Sequence, residues 1–280
     1  MSNDELNGAT PEPARRVPVL PTLITLASAV CGFSSICLAA RPGIDNAERV
    51  GWLTWSAWLI LLAMVFDALD GRVARLTKQT SDFGGHLDSL SDVISFGLAP
   101  GFLAWQVIKL SSQFPYEWIE RVVWLICALY IVCAALRLAR FDVSNRHEES
   151  AHRAFVGLPT PPAAGMVASL VILYGSPLVE GTFWPGIIGN YLLPITVMLL
   201  GPLMMSRLRY VHLLHELFKN RRSFPFFVWL ILFLFVFFAF WRILLPVLFM
   251  LYVLSGLAGF TLDKTLDRFD VSQDRESIFK

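Results

Sequence analysis

The chain has 280 residues, of which 55% are hydrophobic and 16% are charged. A soluble globular domain carries about 25% charged residues, so this chain has too little polar surface to fold as one in water. Its formal net charge of +1 gives no reason to expect nucleic acid as a partner. The composition therefore predicts an integral membrane protein and argues against a nucleic-acid-binding domain.

Eight apolar segments follow one another along the chain. A helix needs about 20 apolar residues to cross the hydrocarbon core of a bilayer, so these segments predict an all-α polytopic membrane bundle. We expect six core transmembrane helices plus a C-terminal pair, although the last two segments are interrupted only by Arg242 and Pro246 and could form one long element. The segments are Val19–Ala39, Gly51–Phe66, Leu90–Ile108, Val122–Leu138, Pro159–Tyr174, Ile187–Met205, Phe226–Trp241 and Ile243–Phe260.

Basic residues orient these segments, because Lys and Arg collect on cytoplasmic loops. Of the 23 Lys and Arg, 18 lie on the side that also holds the N-terminal lead. Both termini are therefore expected in the cytoplasm, and the bilayer is expected to be a bacterial inner membrane. The predicted organisation is a disordered cytoplasmic lead at 1–18, a membrane core at 19–205, a basic cytoplasmic connection at 206–225, the C-terminal transmembrane pair at 226–261 and a cytoplasmic tail at 262–280.

Four aspartates lie beside the apolar segments, where ionised carboxylates are costly and usually functional. Asp67 and Asp70 are spaced i, i+3, and Asp88 and Asp92 are spaced i, i+4, so each pair lies on one helix face. The short connection between the two helices predicts antiparallel neighbours with four converging carboxylates. These groups would repel one another unless a cation is bound, and hard oxygen ligands suit Mg²⁺ or Mn²⁺. The spacing therefore predicts a divalent-cation site at the cytoplasmic face.

Residues next to the aspartates predict a substrate that carries phosphate. Gly71 lets a ligand approach the backbone, and Ala74 keeps the same helix face open. Arg75, one turn after Gly71, offers a planar guanidinium that matches phosphate oxygens. A metal ion together with an arginine can bind and polarise a diphosphate.

The pattern DxxDGxxAR, eight residues, GxxxDxxxD covers 26 residues from Asp67 to Asp92. It resembles the signature of the CDP-alcohol phosphotransferases, with every fixed position filled at the family spacing. The resemblance implies a homodimeric membrane enzyme that moves a substituted phosphate from a CDP-linked donor onto an alcohol and releases CMP. It also implies that Asp67, Asp70 and Asp88 bind the metal, and that Asp92 binds or borders the metal and acts as the base.

The same resemblance implies the contacts to the CDP-linked donor. Near the start of the first span, the family often shows Pro-Asn-x-x-Thr, and this chain reads Pro21-Thr22-Leu23-Ile24-Thr25, without the asparagine. The residues expected to bind the donor are Gly71, Ala74, Arg75, Ser81, Gly84 and Thr25.

Three further stretches bear on the acceptor alcohol. LPTLITLASAVCGFSSICLA (Leu20–Ala39), LRLARFDV (Leu136–Val143) and FVGLPTPPAA (Phe155–Ala164) resemble the membrane-type phosphatidylserine synthases of this family, which typically have Asn in place of Asp142. This likeness implies CDP-diacylglycerol as donor and L-serine as acceptor. Arg137 and Arg140, one turn apart, could meet a carboxylate or a phosphate of the acceptor or could be membrane anchors.

Alternatives remain at this point. The same core would serve glycerol 3-phosphate, choline or an inositol as acceptor, although a cationic choline should prefer an aromatic or acidic pocket. An ion-coupled carrier would also need acidic residues in the membrane, but it would need polar groups through the whole depth of the bilayer. The Gly97-x-x-x-Gly101 ridge could help to form a dimer or could pack within one chain.

Overall fold

The computed structural model describes residues 19–77, 82–112, 116–146, 157–206, 208, 231–232 and 235–256. These residues are helical apart from short connections and include no strand. The predicted lead at 1–18, the tail at 262–280, Ser81 and most of the 206–225 connection lie outside this part of the chain. The helices are α1 Val19–Ala39, α2 Asn46–Thr77, α3 Asp82–Asp92, α4 Ala99–Ser111, α5 Glu117–Arg146, α6 Thr160–Tyr174, α7 Trp184–Ile187, α8 Leu193–Met205 and α9 Phe235–Gly256, and π-helical turns at Val93–Leu98 and Ile188–Leu192 join α3 to α4 and α7 to α8.

Helix length and apolarity confirm an all-α integral membrane protein. Six helical stretches of the described residues are long and apolar enough to cross a bilayer, and the shorter α6 is also apolar. Large apolar side chains such as Phe235 and Phe238 remain exposed on the outer faces, as expected for helices that face lipid. The predicted C-terminal pair is not confirmed, because α9 runs without a break across Arg242 and Pro246.

Helix α6 lies at the centre of the bundle. Of its 15 residues, 11 are buried, from Thr160 near its start to Ile172 near its end. The helix packs against α2, α4 and α8. Because its neighbours surround it, α6 has little contact with lipid and does not need the length of an independent span.

A stripe of small residues on α1 brings this helix close to α2 and to the first π-helical turn. Thr25, Ser28, Gly32 and Ser35 recur at intervals of three and four residues, and all are buried. The Ser28 hydroxyl donates to the carbonyl of Ala63 in α2 at 3.2 Å. Small side chains permit close backbone approach, and their hydroxyls supply the interhelical hydrogen bonds.

Gly32 provides the first stability prediction. A Cβ at this position would lie 2.7 Å from the Cα of Ser95, which is too close for real carbon atoms. Gly32→Ala should therefore force α1 away from the π-helical turn and lower stability by about 1–3 kcal/mol. Gly51→Ala on α2 is the matched control, because a Cβ there meets no atom within 4 Å. Thermal unfolding in detergent should show a lower midpoint for Gly32→Ala and an unchanged or slightly higher one for Gly51→Ala. Equal midpoints for the two variants would contradict the proposed close approach.

The π-helical turn Val93–Leu98 follows Asp92 directly. Pro100 has no backbone N–H, so the carbonyl of Phe96 lacks its usual partner four residues later. The Tyr130 hydroxyl of α5 donates to that carbonyl at 3.0 Å. A hydrogen bond from α5 thus reaches a carbonyl whose usual helical partner is removed by Pro100.

The two glycines of the Gly97-x-x-x-Gly101 ridge both face α5. A Cβ at Gly101 would lie 2.6 Å from the Ile131 side chain, and a Cβ at Gly97 would lie 3.4 Å from Cβ of Ala134. The ridge therefore packs within one chain, which is the second of the two alternatives that the sequence left open.

Candidate active site

The four aspartates lie at neighbouring ends of α2 and α3. Helix α2 continues to Thr77, beyond the predicted span at Phe66, so Asp67 and Asp70 stand on its last turns. Helix α3 carries Asp88 and Asp92. The sequence predicted α2 and α3 as direct neighbours, and α1 packs against both of these helices. The first helix thus supports both aspartate pairs.

Three of the carboxylates converge as their spacing predicted. Oxygen atoms of Asp67, Asp70 and Asp88 lie within 4.8 Å of one another. Asp70 is buried, and the other two are partly exposed. Oxygens that bind one Mg²⁺ at about 2.1 Å lie roughly 3 to 4 Å apart, so small side-chain rotations would bring all three onto a single ion.

Thr25 of α1 connects the two aspartate helices. Its hydroxyl donates to Asp70 Oδ2 at 2.9 Å, and the carbonyl of Pro21 is a second acceptor at 3.1 Å. The Ser91 hydroxyl of α3 donates to the Thr25 carbonyl at 3.0 Å. Thr25, which the sequence assigned to donor binding, therefore contacts a carboxylate of the cluster.

Asp92 stands apart from the group of three. It lies one turn beyond Asp88, and its Oδ1 atom is buried without a hydrogen-bond partner among the described residues. The charges of Asp67, Asp88 and Asp70 act on this carboxylate, and the opposite charge of Arg137 on α5 does so more weakly. Unpaired buried oxygens are uncommon in folded proteins, so Asp92 Oδ1 has an unused capacity to accept a proton or a ligand.

Arg137 is turned into the bundle, whereas Arg140 is exposed. The Nη1 atom of Arg137 donates to Thr160 Oγ1 at 3.2 Å, and its Nε atom is buried without a partner among the described residues. The sequence suggested equal roles for the two arginines, and in the structure the charge of the partly buried Arg137 acts on Asp92. An Nε–H donor without a partner beside an acidic cluster can bind an anionic group.

The loop before α6 positions Thr160, a contact that sequence reasoning missed. Gly157 has a φ of +91°, and a Cβ there would collide with the carbonyl of Met204. The backbone N–H of Leu158 donates to the carbonyl of Leu203 at 3.2 Å. The GLPTP stretch thus joins the start of α6 to the end of α8 and holds Thr160 against Arg137. The only signal in the sequence was the likeness of this stretch to the phosphatidylserine synthases.

The structure describes only some of the residues that were predicted to bind the donor. A Cβ at Gly71 would meet no atom within 4 Å, so open space adjoins the backbone beside the cluster. Gly84 is partly exposed on the first turn of α3. Ala74 and Arg75 lie on α2, but their side chains lie outside the described part, as does the whole of Ser81.

His86 and Asp142 join α3 to α5 near the aspartates. His86 Nδ1 lies 3.2 Å from Asp142 Oδ2, and both side chains are about two-fifths exposed, at 41% and 35%. Asp142 is the position at which this chain departs from the LRLARFN pattern. Nothing in the local spacing relates residues 86 and 142, so the pair could not be found from the sequence.

The donor set fits a divalent cation. Three carboxylates supply hard oxygen ligands, and among the side chains that the structure describes, which do not include Arg75, no Lys or Arg forms a salt bridge with Asp67, Asp70 or Asp88. No described Lys or Arg side chain therefore neutralises these three carboxylates. A bound Mg²⁺ or Mn²⁺ would neutralise them and reduce their mutual repulsion. The cluster can hold a metal ion.

Comparison with known proteins finds one matching family model and several relatives with similar names. The family model for CDP-alcohol phosphatidyltransferase matches residues 18–201. The CDP-diacylglycerol–serine O-phosphatidyltransferase of Helicobacter pylori is 34% identical over 198 residues, which cover 71% of this chain and 74% of that protein. The enzyme of the same name from Methanocaldococcus jannaschii is 38% identical over 153 residues, covering 54% of this chain and 61% of that protein. The archaetidylserine synthase of Methanothermobacter thermautotrophicus is 38% identical over 155 residues, covering 55% and 58%.

The family match covers α1 to α7 and most of α8, and it contains the three-carboxylate cluster together with Asp92 and Arg137. The signature read from the sequence, the helical membrane fold and the similarity to named relatives agree. This chain belongs to the CDP-alcohol phosphatidyltransferase family.

Proposed function

We propose that this protein is a membrane phosphatidyltransferase that moves the phosphatidyl group of CDP-diacylglycerol onto the hydroxyl of L-serine and releases CMP. The observation that carries the proposal is the group of three carboxylates, Asp67, Asp70 and Asp88, whose oxygens lie within 4.8 Å of one another. The names of the relatives support serine as the acceptor.

Asp67, Asp70 and Asp88 would hold a divalent cation, Mg²⁺ or Mn²⁺. When bound, such an ion neutralises and polarises diphosphate oxygens. Thr25 fixes the orientation of Asp70 through its 2.9 Å hydrogen bond, so one ligand is preorganised by α1.

The CDP-diacylglycerol diphosphate would lie over the open backbone at Gly71, where a side chain is absent and no atom fills the space. Arg75, one turn further along α2, would bind phosphate oxygens through its guanidinium. Ala74, Gly84 and Ser81 complete the predicted donor contacts. The acyl chains would remain in the bilayer between the helices.

The serine hydroxyl would attack the phosphorus nearer the diacylglycerol, in line with the bond to the CMP oxygen. Asp92 would accept the hydroxyl proton through its unpaired Oδ1 atom. The new oxygen–phosphorus bond forms as the bond to CMP breaks, and CMP leaves with the electron pair.

Arg137 would bind the carboxylate of serine. Its guanidinium is oriented by Thr160 and keeps an Nε–H donor without a partner among the described residues, close to the proposed base. Arg140, which is exposed, would contribute to the electrostatic attraction of the acceptor or anchor α5 at the membrane face. The site would face the cytoplasm of a bacterial inner membrane, and a homodimer is the expected assembly.

A CMP-release assay tests the proposal. Purified protein is incubated with CDP-diacylglycerol and Mg²⁺ or Mn²⁺, and serine, glycerol 3-phosphate, choline and inositol are compared as acceptors. We expect CMP release with serine alone, formation of phosphatidylserine by mass spectrometry, and loss of both with a chelator. Release with a different acceptor would keep the chemistry and reject serine. No release with any acceptor would reject the enzyme proposal and favour the carrier alternative.

A further inference from the structure

Helix α9 lies beyond residues 18–201 of the family match, yet it packs on the catalytic bundle. Its Trp241 ring lies 5.1 Å, centroid to centroid, from the ring of Trp58 on α2. Phe249, Met250 and Tyr252 also contact the hydrophobic core. The C-terminal helix is therefore part of the folded unit that surrounds the site.

Gly165 of α6 fixes the position of α9 near the site. A Cβ at Gly165 would collide with the ring of Phe249, so the glycine provides the space that this ring fills. Val253, one turn after Phe249, is buried with 7% exposure. Tyr252 lies between them on the same inward face, because residues three and four apart share a face of a helix.

The inward face of α9 places Tyr252 beside Arg137. Tyr252 packs against the core from this face, and its phenol lies within electrostatic range of the Arg137 guanidinium. On the other side, its Nη1 atom donates to Thr160 of α6 at 3.2 Å. Arg137 is thus hydrogen-bonded to α6 and lies near α9, and these two helices pack together through Phe249 and Gly165.

This arrangement leaves a buried guanidinium donor for a ligand. The Nε atom of Arg137 is buried and has no partner among the described residues, and a buried donor without a partner is costly. A phenol oxygen can accept a hydrogen bond from a guanidinium, and doing so would limit the orientations that the arginine can adopt. A fixed guanidinium binds a carboxylate with less loss of conformational entropy than a mobile one does.

We propose that Tyr252 is a positioning residue that orients Arg137 toward the carboxylate of the acceptor, so that α9 contributes to acceptor selection. The inference rests on the proposed function, because it assigns Arg137 to the acceptor. It adds a residue outside the family match and gives a role to the C-terminal helix.

Tyr252→Phe tests this role, because it removes the hydroxyl and keeps the ring that packs on the core. We expect the KM for serine to rise about fivefold or more, while the KM for CDP-diacylglycerol stays within about twofold and kcat within about threefold. Tyr174→Phe is the matched control, since the Tyr174 hydroxyl accepts a 3.1 Å hydrogen bond from Ser111 and does not contact Arg137. The control should leave both KM values unchanged.

A double-mutant cycle separates positioning from a merely structural role. Arg137→Lys should raise the KM for serine about tenfold, because lysine cannot reproduce the planar donor set. If Tyr252 acts through Arg137, the double variant should raise this KM by clearly less than the product of the single effects. The inference would be overturned if the effects of the two single variants on the KM for serine multiply in the double variant. It would also be overturned if Tyr252→Phe changes the KM values for serine and CDP-diacylglycerol equally and lowers the unfolding midpoint. If the unmodified protein releases no CMP with serine, the proposed function fails together with the inference. If it does release CMP with serine and Tyr252→Phe has the same KM for serine, the inference alone fails.

Discussion

Asp67→Asn is expected to reduce CMP release by about a thousandfold and to weaken the binding of Mn²⁺. Asp67, Asp70 and Asp88 converge within 4.8 Å, so each supplies about one third of the negative charge available to a single ion. Asparagine keeps the shape of the side chain but removes its charge. Loss of one group that stabilises a transition state costs about 10²–10³ in rate, and weaker metal occupancy adds to this loss. The rate is measured by CMP release at saturating substrates, and Mn²⁺ affinity by electron paramagnetic resonance.

Asp45→Asn is the control for this prediction. Asp45 precedes α2 at the opposite end of the same helix, and its Oδ1 atom accepts a hydrogen bond of 2.7 Å from the Glu48 N–H. Asparagine caps a helix about as well as aspartate, so activity and Mn²⁺ affinity should be unchanged. A chelator should abolish release by the unmodified protein, and added Mg²⁺ or Mn²⁺ should restore it. Activity of Asp67→Asn above about a tenth of normal would contradict a metal role for this cluster.

Regular periodicity made much of the fold and of the cluster predictable. The first apolar segment, Val19–Ala39, coincides with α1, because a lipid-facing helix needs little beyond length and apolarity. The convergence of Asp67, Asp70 and Asp88 followed from helical spacing and a short connection. These features depend on residues that are near one another in the chain or that repeat with the period of a helix.

The remaining features depend on contacts between distant parts of the chain. The close approach of α1 to the π-helical turn depends on Gly32 meeting Ser95, and Arg137 is hydrogen-bonded to Thr160 of another helix. No spacing rule relates these residues. The sequence left open whether α9 would continue through Pro246, because neighbouring helices in a membrane can compensate for the lost backbone hydrogen bond.

Asp92→Asn is expected to abolish turnover while binding of the donor and the metal largely persists. Asp92 lies outside the group of three carboxylates, and its buried Oδ1 atom has no partner among the described residues. The asparagine amide cannot take up the proton of the serine hydroxyl. Loss of a general base lowers the rate by about 10²–10⁴. CMP release gives the rate, and equilibrium binding of CDP-diacylglycerol in detergent micelles gives the donor affinity.

Comparison of Asp92→Asn with Asp67→Asn distinguishes a general base from a metal ligand. If Asp92 is the base, its variant should keep Mn²⁺ affinity within about threefold of normal, whereas Asp67→Asn should lose most of it. Simultaneous loss of turnover, donor binding and Mn²⁺ affinity in Asp92→Asn would instead make Asp92 a fourth ligand, and near-normal turnover would leave it without a catalytic role. Because both variants replace a carboxylate by an amide of the same shape, their different effects on Mn²⁺ affinity distinguish a metal ligand from a base.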